Sequence, residues 1–427
     1  MKLQLPKGTR DLPQEQAIAR DKIVNALKEV FELYGYGPLD TPAFERFDIL
    51  ASKYAGGDEI LKETFRFKDQ GRRDLALRYD LTVPMCRFFG MNTNLKLPFK
   101  RYQIGDVFRD GPVEKARYRQ FTQCDVDIVG VKDMAADAEI VALAARAFKN
   151  LGFETIIKVN NRKLLNELLL NAGVKKDKLE TVIISIDKLK KFGPEAVKKE
   201  LKDKKISNES ISSIIEIISS KGSNKSNIGK IKRLIQDKSI EGINEIEELF
   251  SLLGILNVSA EFDVSLARGL AYYTGTVVEV FLKNSSVKSA VCAGGRYDNM
   301  IGDFLGKGNY PAVGISFGLD RIYDAYAEKN KDGKKTVAKI YIIPINAFNE
   351  SLRIAEELRS EKVNVDIDLT NKGPSKNLQY ANSFGIPYVL FIGEEELKQG
   401  KVKLKDMKSG KESLMTAPEL VVFLQNN

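Results

Sequence analysis

The chain has 427 residues, a 43% hydrophobic fraction and a formal charge of +9 with pI near 9.1, enough for two or three domains with full-sized cores and a bias toward polyanionic partners such as nucleic acid. Cys86, Cys124 and Cys292 lie far apart without CxxC spacing, which supports neither a disulfide framework nor a structural zinc and fits a reducing cytoplasm. There is no histidine, so mechanisms built on Ser/His, Cys/His or His-bound metal are excluded and any catalysis must use carboxylates, Arg, Lys, Tyr or a loosely held metal ion.

The N-terminus, MKLQLPKGTRDL, carries no apolar signal region, and no apolar run is long enough to span a membrane. Residues 14 to 34 show helical apolar spacing (Ile18, Ile23, Leu27, Val30, Phe31), stopped at Gly35 to Pro38. Residues 39 to 47 extend through Thr41 and Pro42. The segment LALRYDLTVP (75 to 84) reads as a strand with Arg78, Asp80 and Thr82 on one face.

Residues 101 to 130 carry the most information. Two alternating runs, 101 to 109 and 117 to 129, flank a short Gly-Pro loop and predict an antiparallel hairpin. Arg109 lies on the first arm, and Arg117, Arg119, Phe121, Gln123, Asp125 and Asp127 share one face of the second. One end of that face is cationic and aromatic and the other acidic. This gradient suits a ligand with phosphates at one end and an ammonium or polar group at the other.

A helix is expected over 133 to 150 and a strand over 154 to 159. From about 161 to 258 the composition shifts to Lys, Ile and Ser with helical periodicity, interrupted by the low-complexity stretch 221 to 227. This predicts a helical insertion, because β-type patterning resumes at Glu261. Its 19 Lys and Arg against 14 Asp and Glu fit a solvated bundle and an RNA contact equally.

Strand-like segments follow at 261 to 266, 272 to 282 and 290 to 293, and residues 314 to 319 lead into a helix at 319 to 329. In SLARGLAYYTGTVVEV (265 to 280), Arg268 can hold a carboxylate or phosphate with its planar fork or mark a structural turn. Tyr272 and Tyr273 are expected on opposite sides. CAGGRYDNM (292 to 300) offers Arg296 and Tyr297, with a turn or bulge at its glycines as the plainer reading. In AVGISFGLDRIY (312 to 323), Arg321 is placed to meet phosphate or to begin a helix with Asp320. After a hydrophilic linker at 330 to 335, a β-α-β-α-β alternation predicts a separate small α/β domain with a parallel core.

Together these blocks resemble the class II aminoacyl-tRNA synthetases: GYGPLDTP (35 to 42), FRDGPVEKARYRQF (108 to 121) and VGISFGLDR (313 to 321) match the three class motifs. LRYDLTVP, RGLAYYTG, CAGGRYD and the opening PKGTRDL narrow the resemblance to the histidyl-tRNA synthetase family, across essentially the whole chain. The resemblance implies an α/β fold of α+β type: a catalytic domain (1–160 and 259–329) with an antiparallel sheet flanked by helices, a helical insertion (161–258), a linker (330–335) and a C-terminal α/β anticodon-binding domain (336–427). It implies a cytoplasmic homodimer, associating through the first motif, that uses ATP with Mg2+ to activate histidine and transfers it to tRNA(His).

By similarity, Arg109 would contact the α-phosphate, Arg117 and Arg321 the outer phosphates, and Phe121 would stack on adenine opposite Arg321. Asp80, Thr82 and Gln123 would hold the α-ammonium, Asp127 and Tyr273 would read the imidazole nitrogens, and Tyr272 and Tyr297 would complete the histidine pocket. Arg268 would bridge substrate carboxylate and α-phosphate, a role filled by metal elsewhere in the class; no protein-held metal is expected. Arg109 and Arg268 are thus the expected catalytic pair.

Three departures from the family pattern stand out. Ala271 replaces a common acid within RGL-x-YY, and Gly111 replaces an acid of the second motif. LRYDLTV, Thr122 and Asp127 resemble the archaeal and eukaryotic branch in the amino-acid pocket. The resemblance also suggests why histidine is absent: such an enzyme would not need its own product for its translation. That idea fails if a His-containing variant is expressed equally well under histidine starvation. The competing expectation, a non-catalytic paralogue regulating histidine biosynthesis or sensing uncharged tRNA, is disfavoured by the presence of residues 336–427 and of Arg109, Arg268 and Arg321.

Overall fold

A computed structural model describes residues 2–51, 61–92, 94–113, 118–219, 222–235, 241–269, 272–330 and 333–426. The backbone divides into two compact units, Met1–Arg10 with Ile23–Glu328, and Asp11–Lys22 with Lys329–Asn427. In chain order the elements begin with α1 (Gln14–Leu33), β1 (Gly37–Pro38), β2 (Phe44–Arg46), the single turn α2 (Phe47–Leu50), β3 (Arg66–Lys68), β4 (Asp74–Leu77), α3 (Thr82–Met91), β5 (Phe99–Phe108), β6 (Gln120–Val129), α4 (Met134–Asn150) and β7 (Thr155–Asn161). Six helices follow: α5 (Arg162–Asn171), α6 (Leu179–Asp187), α7 (Leu189–Asp203), α8 (Asn208–Ile218), α9 (Asn224–Leu234) and α10 (Glu241–Ile255). The first unit closes with β8 (Glu261–Phe262), β9 (Thr276–Leu282), β10 (Cys292–Arg296), α11 (Met300–Leu305), β11 (Ala312–Gly318) and α12 (Leu319–Lys329).

Eight strands form one sheet in the order β1-β5-β6-β11-β10-β9-β7-β8, antiparallel except where the short β1 and β8 pair at its two edges. The hairpin read from 101 to 130 is present as β5 and β6, paired from Phe99↔Val129 to Phe108↔Gln120. One face of the sheet is apolar. On it Val126, Val278, Val280 and Phe317 meet Ile23, Leu27 and Phe31 of α1 and Ile140, Leu143 and Phe148 of α4, with all ten side chains buried in one cluster. α4 forms where the chain offers alanine-rich sequence behind Asp133, whose carboxylate accepts the Ala135 N–H at 2.8 Å and satisfies a free helix-start donor. The opposite face is left for the polar side chains of β6.

The helical segment begins one residue after β7, with Asn161 capping α5, and Ser207 and Ser223 cap α8 and α9 in the same way. It has its own apolar core, including Leu168, Ile183, Ile214 and Ile246, but Phe262, Val264 and Ala267 also enter it. The stretch before Arg268 is therefore packed against these helices.

Two local expectations are corrected. The strand expected over 75 to 84 ends at Leu77, because Asp80 Oδ1 accepts the Thr82 and Val83 N–H groups at 3.1 and 2.9 Å and starts α3. Arg78 consequently turns away from Asp80 and bonds the Thr41 and Asp106 carbonyls. The glycines of CAGGRYD make no turn. They lie in β10, in the middle of the sheet, where a Cβ at Gly294 would overlap the backbone of β11.

In the second unit the expected alternation is present as β12 (Ile340–Ile345), α13 (Phe348–Ser360), β13 (Val365–Ile367), α14 (Pro374–Phe384) and β14 (Tyr388–Gly393), with β12 parallel to both neighbours. The chain continues through α15 (Glu394–Lys398) into an antiparallel pair, β15 (Val402–Asp406) and β16 (Glu412–Met415), and ends in α16 (Ala417–Asn426). The sheet is therefore mixed, and Leu420 and Leu424 of α16 belong to its core.

Candidate active site

The polar face of the large sheet carries two adjoining cavities, of about 300 and about 140 Å3. Arg109, Gln123, Arg268, Ala293 and Ser316 line both and mark their junction.

The larger cavity brings together Arg109, Phe121 and Arg321, three of the four residues expected around ATP. Arg109, just beyond β5, is held over two aromatic rings, with Cζ 4.1 Å from the Tyr79 centroid and 5.0 Å from Phe121, and Nε donates to the Tyr79 carbonyl at 3.2 Å. Arg321 stands in the first turn of α12 and donates to the Ala290 carbonyl at 2.8 Å. Arg117 lies outside the described residues, as does Ala271.

The N-terminal segment packs behind two residues that line this cavity, Tyr118 and Asp320. Arg119 N–H donates to the Gly8 carbonyl at 2.8 Å, while Arg10 lies 4.3 Å from the Tyr118 centroid and pairs with Asp320. Asp320 is thereby a scaffold residue: its other oxygen accepts the Thr122 N–H at 3.0 Å, joining α12 to β6. At Gly111, where an acid was expected from some bacterial members of the family, the carboxylate of Glu63 comes close enough that a Cβ would stand 2.7 Å from Oε1. An acid thus reaches this position from elsewhere in the sequence.

The smaller cavity gathers Asp80, Thr82, Gln123, Asp127, Arg268, Tyr272, Tyr273 and Tyr297, every residue expected around the amino acid. Asp127 is 3% exposed at the bottom. Tyr297 donates its hydroxyl to Oδ1, and Arg101 Nη2 lies 2.7 Å from Oδ2 in a close ion pair. Burial raises the Asp127 carboxyl above its ordinary range, opposed by the Arg101 charge and the Tyr297 hydrogen bond. Burial raises Asp80 as well.

Glycine at 314 is required by this arrangement. It pairs with Asp127 across β6 and β11, and a Cβ there would overlap the Asp127 carboxylate. Gly295 has φ +157° and its Cβ would overlap the Thr276 carbonyl and press on the Tyr273 ring, so this glycine makes room for the tyrosine.

Tyr272 and Tyr273 do not point to opposite sides. They precede β9 in irregular backbone, so strand alternation does not apply; their ring centroids are 4.6 Å apart and both line the cavity. Arg268 is fixed by Glu279, which accepts from Nη1 at 3.1 Å, while the Arg268 carbonyl accepts from Arg162 at 3.3 Å. Arg296 belongs to no ligand site: it is buried against Asp137 of α4 and bonds the Val131 and Asp133 carbonyls.

Three participants escaped the sequence reading, Arg101, Ser316 and Glu279, and a fourth, Asp125, was placed on the right face but given no role. For Arg101 and Asp125 a signal existed, since Arg101 alternates in phase with Arg109 and Asp125 with Asp127. Ser316 and Glu279 become neighbours of the site only through sheet pairing, Ser316↔Asp125 and Glu279↔Ala293.

Comparison with known proteins follows this geometry. Residues 8–322 match the model of the histidyl-tRNA synthetase family, and residues 339–427 match that of the anticodon binding domain. The chain is 45% identical to a histidine–tRNA ligase 1 of Bacillus cereus, over 99% of this chain and 100% of the relative. Among solved structures it is similar to a histidyl-tRNA synthetase from Nostoc, with TM-score 0.87, 29% identity and coverage of 100% and 99% of the two chains. It shares the fold of a Bacillus halodurans protein described as an ATP phosphoribosyltransferase regulatory subunit/histidyl-tRNA synthetase, with TM-score 0.76 at 20% identity over 92% and 99%.

Proposed function

The chain belongs to the histidyl-tRNA synthetase family, and from that premise we propose that the two adjoining cavities bind ATP and histidine and carry out the activation half of a histidine–tRNA ligase reaction. The observation that carries this reading is the junction, where Arg109 and Arg268 stand between a cavity with an aromatic wall and one with an acidic floor.

Activation joins two anions. A histidine carboxylate oxygen attacks the α-phosphorus of ATP, the bond to the bridging oxygen of the β-phosphate breaks, and pyrophosphate leaves. No proton moves, so the task is to hold the anions in line and stabilise the charge between them. Arg109 serves the α-phosphate and Arg268 bridges it to the carboxylate; Phe121 and Arg321 take the adenine, and Arg321 with Arg117 the outer phosphates. In the second half reaction a terminal ribose hydroxyl of tRNA(His) attacks the histidyl carbonyl, AMP leaves, and its phosphate takes the hydroxyl proton.

ATP enters as its magnesium complex. The described residues include no cluster of three carboxylate or thiol ligands, and Mg2+ is suited to phosphate oxygens and water, so ATP itself would hold most of its coordination shell. Asp80, Thr82 and Gln123 take the α-ammonium, and Asp127, Tyr273 and Tyr297 form the ring end. We assign residues 1–160 and 259–329 to catalysis, 161–258 to an insertion, 330–335 to a linker and 336–427 to anticodon reading. The protein acts as a cytoplasmic homodimer; no described helix is long and apolar enough to cross a membrane.

The deciding experiment is amino-acid-dependent exchange of pyrophosphate into ATP without tRNA. Exchange with histidine alone is expected; none from a folded dimer would shift the reading to a regulatory paralogue.

A further inference from the structure

The roles assigned so far leave Asp125 over. Its side chain, 3% exposed, lines the smaller cavity between Gln123 and Asp127 on the same face of β6. Its cross-strand partner Ser316 accepts from Gln123 Nε2 at 2.7 Å, which leaves the serine's own hydrogen free to turn toward the Asp125 carboxylate. Asp125 Oδ1 has no hydrogen-bond partner among the described residues. A buried carboxylate oxygen in this state is costly unless a ligand donates to it.

The charges facing Asp125 say what that donor is. Asp127 on its own strand and Asp80 at the start of α3 add two further carboxylates, against one enclosed cation, Arg101 of β5. Arg78 acts only at a distance, with its guanidinium taken by carbonyls. Arg109 and Arg268 stand at the junction, facing the place assigned to phosphate and substrate carboxylate. Cys292, Tyr272 and Tyr297 are kept neutral by burial. The substrate ammonium supplies one positive charge, which leaves one carboxylate without a counter-charge. Tyr273 can donate or accept and so does not choose between ring states, whereas an ionised carboxylate only accepts.

Resting on the histidine site proposed above, we propose that Asp125 is a second ring-reading residue, which with Asp127 binds the substrate ring protonated on both nitrogens, as imidazolium. Each ring N–H then donates to a carboxylate, and a ligand with a neutral or apolar ring leaves Asp125 unpaired. Burial, with the Asp127 charge adding to it and Arg101 opposing, pushes Asp125 up to about 7, in keeping with a group that lacks its cation until substrate arrives.

The test is calorimetric titration of the full-length protein with histidine at about pH 8, in buffers of different ionisation enthalpy, where free imidazole, with an ordinary pKa of about 6.5, is mostly neutral. Uptake of about one proton per histidine is expected, with the 15N shifts of ring-labelled bound histidine reporting imidazolium. Asp125→Asn is expected to abolish the uptake and raise the KM for histidine in pyrophosphate exchange. No uptake by the unaltered protein, or uptake with a neutral bound ring, overturns the proposal. Intact histidine-dependent exchange in that case leaves the function standing; absence of exchange defeats the function itself.

Discussion

Arg268 Nη1 lies 3.1 Å from Glu279 Oε1, while its Nε has no hydrogen-bond partner among the described residues. One side of the guanidinium is thus anchored to β9 and a donor is left for a ligand. A hydrogen bond to a charged group contributes about 1.5–3 kcal/mol, so Glu279→Gln should lower kcat/KM for pyrophosphate exchange roughly 10- to 100-fold. Unchanged kinetics would mean that Arg268 is positioned by its backbone contacts alone.

Asp127→Asn keeps the shape of the side chain and removes its charge. Because the ring end of the pocket is built from paired polar groups, histidine activation should fall on the order of 1,000-fold. ATP binding, followed by equilibrium titration with a nonhydrolysable analogue, should change little. Comparable loss of both would place Asp127 in the scaffold rather than at the ring.

The Arg296–Asp137 pair should matter to folding and not to specificity. Both side chains are almost fully enclosed, and Arg296 Nε lies 3.1 Å from Asp137 Oδ2. Removing one partner strands a buried charge, so Asp137→Ala should cost about 3–5 kcal/mol in denaturant unfolding. The folded fraction should retain its amino-acid preference.

Stability of the ligand-free protein should fall as pH rises toward 7 and beyond. Asp125 titrates at about 7 in the folded chain against an ordinary 3.8, so between those values the folded state binds more protons than the unfolded state. The stabilisation is full below the unfolded value and is lost as pH climbs through the folded one. Between pH 5.5 and 8 this amounts to roughly 2 kcal/mol. Melting curves of the parent and of Asp125→Asn should lie closest at low pH, where Asp125 is neutral, and separate at high pH as the parent alone loses stability. Parallel curves would contradict the assignment.

The sequence alone determined the elements whose signals are local. The hairpin of β5 and β6 was legible because alternation repeats over ten residues on each arm, and α1, α4 and α12 because apolar spacing and stops agree. The same alternation placed Phe121, Gln123 and Asp127 on one face, and the class motifs marked Arg109, Arg268 and Arg321. It failed at Asp80, where a carboxylate able to cap a helix ended the strand at Leu77, and at Tyr272 and Tyr273, which sit outside any strand. It also missed the antiparallel β15–β16 pair and α16, whose short segments carry little period.

Only the tertiary structure decided which charges meet. Asp125 finds Ser316, and Arg296 finds Asp137, across separations of 191 and 159 residues that no local pattern encodes. Sheet register brings Ser316 opposite Asp125, and the packing of α4 on the sheet brings Asp137 to Arg296. Burial then turns an ordinary row of aspartates into a pocket that needs a cation.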